Sequence, residues 1–361
     1  MSLLYMRKFF TNVSIIFLIS LILFIVINIL ISLSWQYYNL KKYENSDPFT
    51  VDVQNTFDLS KEELRTLHKD THNLKYFFKA FTGPQPNNYE TKFVNYNIDK
   101  GRKTINPKNC EKSYFIFGGS TTFGWLSTDD KTIASNLSKI LNKTNKNTCV
   151  YNYGIPWFYS KQENNLLINL IEEKKIPHYA IFLDGINERC DGFAYEENIK
   201  RQFSEINRSH RTLIFNAKLP ALVNSLPFIQ LYDRMINKSI KPFDVDDYSL
   251  KCSGQELKSN FENRLKIRNE ICNLFLIRCK SFLQPFGGVN GKIYPGSENL
   301  ENQFIKYNLF KKIDDKLILD ISKALDNDPN KLSYVDRVHY THNANYLIAQ
   351  AISEHILYGE P

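Results

Sequence analysis

No alanine occurs before Ala80, no run of five basic side chains appears, and none of the six cysteines stands in a C-x-x-C pair. The first absence weakens any signal-peptidase site of the A-x-A kind near the N-terminus. The second argues against a nucleic-acid binder, which usually concentrates its charge. Here Lys and Arg exceed Asp and Glu by 46 to 38, and the net +8 is spread thinly along the chain. The third leaves a structural zinc site unsupported. No internal repeat or low-complexity tract is present, and 23% charged with 14% aromatic residues excludes a disordered or fibrous chain. What remains, 361 residues of which 43% are hydrophobic, suffices for one large domain or two ordinary ones with a real core.

Charge is also missing from Phe9 to Leu40. The densest apolar stretch, Val13 to Leu33, is 21 residues long, and as a helix it would extend roughly 30 Å, the thickness of a bilayer's hydrocarbon core. Its polar interruptions, Ser14, Ser20, Asn28 and Ser32, can bond within a helix, and Trp35, Tyr37 and Tyr38 follow as an interfacial aromatic belt. Residues 1–40 therefore read as a tail and a single transmembrane anchor spanning about 13–33. The rival is a signal peptide cut weakly at Ser32-Leu33-Ser34. Arg7 and Lys8 before the span nearly balance Lys41 and Lys42 after it. The short N-terminal tail then favours a cytoplasmic N-terminus and an extracytoplasmic body.

Residues 41–107 are polar and aromatic without a strong period and read as a connector packed on the domain's flank, with a short helix over Lys61–His68 capped by Ser60. From residue 108 to 361 the pattern alternates. Apolar runs at Ser113–Gly118, Val150–Tyr153, Tyr179–Leu183 and Leu276–Leu283 have strand character. Helical spacing marks Thr132–Leu141, Gln162–Glu173, Gln255–Ile277, Asn302–Leu325 and Asn345–Leu357. This predicts an α/β fold with a short parallel sheet between helical layers. Residues 191–253 break the pattern and read as an inserted lid or side wall. Cys110 and Cys149 precede or open neighbouring strands and can bridge at one end of the sheet, with buried free thiols as the alternative. Cys190, Cys252, Cys272 and Cys279 show no partner by spacing.

Ligands bind beyond the carboxyl ends of strands in an open parallel sheet. Three such ends carry small or polar residues: Gly118-Gly119-Ser120-Thr121-Thr122, Asn152-Tyr153-Gly154 and Asp184-Gly185-Ile186-Asn187-Glu188. Asp336-Arg337-Val338-His339 lies before the last helix. Taken in this order, from about Ser113 to Leu357, they resemble the SGNH (GDSL-like) hydrolase superfamily. The resemblance implies a flavodoxin-like three-layer α/β/α core, with Ser120 as nucleophile, His339 as general base and Asp336 orienting it. It also implies an oxyanion hole from the Ser120 and Gly154 N–H groups and the Asn187 amide. Two turns depart from the family pattern: Gly-Gly-Ser stands where Gly-Asp-Ser is usual, and Asn-Glu where Asn-Asp is usual.

The residue chemistry agrees. A serine hydroxyl needs an adjacent base at neutral pH, an imidazole can take and return the proton, and a carboxylate three residues earlier can fix its tautomer. His342 is a second candidate base with poorer spacing from Asp336. Asp184 and Glu188 read as solvated or supporting, and Arg337 as a surface residue. His68, His72, His178, His210 and His355 have no metal-ligand spacing. Tyr153, Trp157, Phe158 and Tyr159 are packing residues or a surface for stacking sugar rings. The nucleophile elbow G-x-S-x-G fails at Thr122, and a P-loop fails for want of a lysine in Gly118–Gly124. The expectation is a membrane-anchored serine esterase or acetyl transferase, without metal or cofactor, acting on an acylated extracytoplasmic carbohydrate or other ester and not on nucleic acid. A lipid-directed lipase or thioesterase and a non-catalytic protein of polysaccharide assembly are the alternatives.

Overall fold

A computed structural model describes residues 3–45, 49–190, 252–290, 301–326 and 332–358. Most of the predicted insertion, residues 191–251, lies outside the described residues. The chain divides into two units, and the N-terminal helix α1 (Leu3–Asn45) belongs to a different one from the α/β body. Within α1, Arg7–Ser34 is a 28-residue stretch long and apolar enough to cross a membrane, or to serve as a signal sequence.

The body is built on a seven-stranded sheet among the described residues. Its strands are β3 (Tyr96–Asn97), β4 (Gly101–Arg102), β5 (Lys112–Gly118), β6 (Thr148–Asn152), β7 (Tyr179–Asp184), β8 (Arg278–Leu283) and β9 (Leu319–Asp320), in the spatial order β3-β4-β6-β5-β7-β8-β9. The strands from β6 to β9 are parallel, and numbered among themselves they run 2-1-3-4-5, the flavodoxin-like order. A separate hairpin pairs β1 (Tyr76–Lys79) with β2 (Gly83–Pro86).

Alternation along β5 decides which helices cover which face. Tyr114 and Ile116 pack with Ile133, Leu137 and Leu141 of α5 (Ile133–Thr144) and with Ile348 and Ile352 of the last helix, α9 (His342–Leu357). Phe115 and Phe117 pack on the other face with Leu166, Leu167 and Leu170 of α6 (Ser160–Glu172) and Cys272 of α7 (Gly254–Leu274). Each such side chain contributes about 1.5–3 kcal/mol by burial. The result is three layers, α/β/α.

The stretch read as a connector is woven into the body. Phe49, Val53, Phe57, Leu64 and Leu67 form a core with Phe123, Leu126 and Val335 beside the first and last sequence motifs. β3 and β4 extend the sheet antiparallel to β6. Arg102 is buried, its Nε bonded to Asp129 at 2.8 Å and its Nη2 to the Ser127 carbonyl at 2.8 Å.

Asp184 and Glu188 are buried rather than solvated. Arg268, itself fully buried, holds Asp184 at 2.6 and 3.1 Å and Glu163 at 3.2 Å, while Arg264 holds Glu188 at 3.1 Å. Carboxylates at these strand ends survive burial because guanidinium groups pair with them.

One helix reading shortens and another lengthens. The segment predicted as a helix over Asn302–Leu325 is helix α8 (Glu301–Phe310), then a turn, β9, and a 3-10 turn at Ser322–Leu325. After Phe310 turn bonds replace helical ones, and at Asp314 the Oδ1 accepts from the Lys316 N–H and the carbonyl from the Leu317 N–H. The last helix begins three residues earlier than its apolar pattern, because Thr341 caps it through the Ala344 N–H. Disulfides join Cys110 to Cys149, Cys190 to Cys252, and Cys272 to Cys279. The last two pairings were invisible to spacing because sheet register and loop ends, not sequence distance, bring the thiols together.

Candidate active site

β5 ends at Gly118, whose φ of +154° and crowding against the Thr122 side chain leave no room for a Cβ. Gly119 then caps a single helical turn, α4 (Ser120–Phe123), closed by Gly124 in the left-handed region. Ser120 is thereby placed at the first position of a helical turn, where the backbone N–H has no intrahelical acceptor.

The loop before α9 brings the other two residues. Tyr334 and Tyr340 form an antiparallel bridge, and the Val335 N–H donates to the His339 carbonyl at 2.8 Å, so residues 336–339 project as a tight loop. His339 Nε2 is 2.8 Å from Ser120 Oγ, and His339 Nδ1 is 2.6 Å from Asp336 Oδ2. The other carboxylate oxygen accepts the Val338 and His339 N–H groups, both at 2.8 Å. Burial works against ionisation of Asp336, but the adjoining imidazole and these donors prevail and hold its pKa below the ordinary value. Residues 219 apart in sequence thus meet through one imidazole.

Asn187 reaches the same rim. Its Nδ2 lies beside Gly119, close enough that a Cβ there would collide with it, and donates one hydrogen to the Phe158 carbonyl at 2.9 Å. The Gly-Gly-Ser turn therefore has a local cause: with the amide in this position, an aspartate at 119 would not fit. Glu188 anchors the loop by accepting from the Ser160 N–H at 2.9 Å and Oγ at 2.7 Å at the start of α6. Burial raises the Glu188 pKa overall, against the pull of Arg264.

Gly154 lies against α4. Its N–H donates to Asn152 Oδ1 at 2.9 Å, and a Cβ would strike the Thr122–Phe123 backbone. Its first structural contribution is close packing against α4. Asn152, fully buried, completes that join by donating to the Thr122 carbonyl at 2.9 Å.

His342 is not the imidazole that meets Ser120. It is buried against Phe57, ring centroids 4.6 Å apart, and its Nε2 has no hydrogen-bond partner among the described residues. Burial lowers its pKa from 6.5 to about 4. Between those values the unfolded chain binds a proton that the native imidazole refuses. Its stabilising contribution is therefore complete above about pH 6.5 and declines as the pH falls towards 4. Replacing His342 by Phe is expected to remove about 2 kcal/mol of the stability difference between pH 7 and 5 in urea titrations. An unchanged difference would contradict the burial of a neutral ring.

Gln284 was not singled out in the sequence. At the end of β8 it accepts from Thr121 Oγ1 at 2.7 Å and from the Tyr340 hydroxyl at 3.2 Å, and donates to the Leu183 carbonyl at 3.2 Å. It links the Ser120 turn, the third strand end and the residue after His339. Its place beyond a fourth strand end was the available signal. Arg337 is exposed, and among the described residues no cluster of His, Cys, Asp and Glu is arranged to hold a metal ion.

Of the aromatics after β6, Tyr153, Phe158 and Tyr159 are buried packing residues, whereas Trp157 is 51% exposed. Trp157 has φ +67°, and the Phe158 N–H bonds to the Ile155 carbonyl at 3.1 Å. This is a turn with Pro156 at its second position and a left-handed third, where glycine is the usual occupant. A bulky residue there costs about 1–3 kcal/mol.

No family model and no curated protein matches this sequence. Among solved structures, the chain is similar to the acetyl xylan esterase AlAXEase, at 14% identity and TM-score 0.39 over 68% of this chain and 100% of that one. It is similar to the lipase/acylhydrolase from Enterococcus faecalis, at 10% identity and TM-score 0.40 over 68% and 95%. A catalytic mutant of Axe2, an acetylxylan esterase from Geobacillus stearothermophilus, gives 13% identity and TM-score 0.39 over 69% and 96%.

Proposed function

We propose that this protein is a serine ester hydrolase or acyl transferase of the SGNH type, with an acylated carbohydrate as substrate. The observation that carries the reading is the hydrogen-bonded series from Asp336 through His339 to Ser120 at the carboxyl ends of the parallel strands, with bonds of 2.6 and 2.8 Å. With Asp336 holding the Nδ1 proton, Nε2 is free to accept from Ser120. The Ser120 oxygen attacks the ester carbonyl carbon as its proton passes to Nε2. The tetrahedral intermediate then collapses, and His339 returns the proton to the departing alcohol. Water, or a hydroxyl of an acceptor sugar, attacks the acyl-enzyme by the same route.

The carbonyl oxygen becomes negative in that intermediate and needs donors already in place. The Ser120 N–H and the second amide hydrogen of Asn187 serve this role. The Gly154 N–H joins them as a shared donor, because it is already bonded to Asn152. No resident metal or cofactor enters the scheme.

In the proposed setting α1 anchors the protein and the body lies outside the cytoplasm, where three disulfides would persist. The reading is tested by offering the full chain in detergent a mixture of O-acetylated oligosaccharides and long-chain fatty esters. Acetate release or transfer is expected. Fatty-acid release alone would redirect the assignment to a lipid-directed lipase, and release of neither would leave a carbohydrate-binding protein without turnover.

A further inference from the structure

The indole of Trp157 is half exposed although its backbone sits in a turn position that favours glycine. Its surroundings point to the reason. Trp125 lies 6.3 Å from it between ring centroids, and Tyr76 of β1 lies 5.5 Å away on another side. Trp125 in turn stacks at 29° on His339, centroids 5.8 Å apart, and its backbone N–H donates to the Ser120 carbonyl at 3.0 Å. The turn bearing Trp157 also supplies the Phe158 carbonyl that orients the Asn187 amide. An aromatic surface is thus joined through backbone bonds to the nucleophile and to an oxyanion donor.

We propose that Trp157, flanked by Trp125 and Tyr76, is a stacking platform that selects esters whose alcohol portion is a sugar ring. This rests on the Ser120 reading of the site. A flat indole presents an apolar face without enclosing its ligand, matching the C–H face of a pyranose. The platform also carries one exposed polar ring, the His72 imidazole standing at 72° to Trp125, centroids 5.2 Å apart. The exposed His72 ring nitrogens suit sugar hydroxyls, whereas an acyl-chain groove would be lined with aliphatic side chains. Trp157 is a specificity residue on this view. It touches the alcohol, not the reacting carbonyl.

The test compares the full chain with Trp157→Ala and Trp157→Phe on O-acetylated cello-oligosaccharides and on p-nitrophenyl acetate. The alanine variant is expected to shift the ratio of the two kcat/KM values at least about tenfold against the sugar ester, chiefly through KM, with most of the shift restored by phenylalanine. An unshifted ratio, or a shift confined to p-nitrophenyl decanoate, would overturn the platform. Binding is measured separately as quenching of tryptophan fluorescence by unacetylated cello-oligosaccharides in Ser120→Ala, with and without Trp157→Ala. Quenching that requires Trp157 upholds the platform even where Ser120 proves inert. Its absence in a protein that does turn over sugar esters removes the platform and leaves the Ser120 reading standing.

Discussion

Ser120→Ala is expected to lower turnover of any accepted ester by about 10^4–10^6-fold while leaving the melting temperature within about 1–2 °C of the parent. The loss follows from the geometry: without the oxygen 2.8 Å from His339 Nε2, the imidazole has no nucleophile to activate. The fold does not need the hydroxyl. Packing around the turn is carried by Phe123, the glycines at 118 and 154, and the Asn152 and Thr121 bonds. Kinetics and thermal melts on the same preparations check both halves. A variant that melts far lower would assign Ser120 to the turn's architecture.

Asp336→Asn is expected to cost about 10^4-fold in kcat with little change in fold. In the parent, one carboxylate oxygen accepts two backbone N–H groups at 2.8 Å and the other faces His339 Nδ1 at 2.6 Å. The backbone donors would hold the asparagine oxygen, so its NH2 group would face the imidazole. Nδ1 would then accept rather than donate, moving the ring's proton to Nε2, where it blocks transfer from Ser120. The resonances of the His339 ring nitrogens by NMR report this tautomer directly. A modest loss of kcat with the tautomer unchanged would mean that Asp336 is not the orienting group.

The sheet's long strands and the order of the motifs were legible because each strand of five or more residues ends in a small or polar turn. Ser120 and Asn187 lie in those turns and Asp336 and His339 before the last helix, and it was their order along the chain, through the family resemblance, that named them. What escaped had no such signal. β3, β4 and β9 are two residues each, too short for any period to show. The stretch up to Pro107 looked like a connector because its apolar residues, such as Phe49, Val53 and Leu67, bury against α4 and the final loop rather than against one another in a regular stripe. Arg102, Arg264 and Arg268 resemble surface charge in sequence, yet each is buried on a carboxylate distant in the chain.

The central claim is that Ser120 is an activated nucleophile. Mass spectrometry of the folded full chain after treatment with a fluorophosphonate probe tests it most directly. One covalent adduct on the peptide containing Ser120, lost in His339→Ala, is the predicted result. A folded protein that carries no adduct at Ser120, under conditions that label a control serine hydrolase, would contradict it.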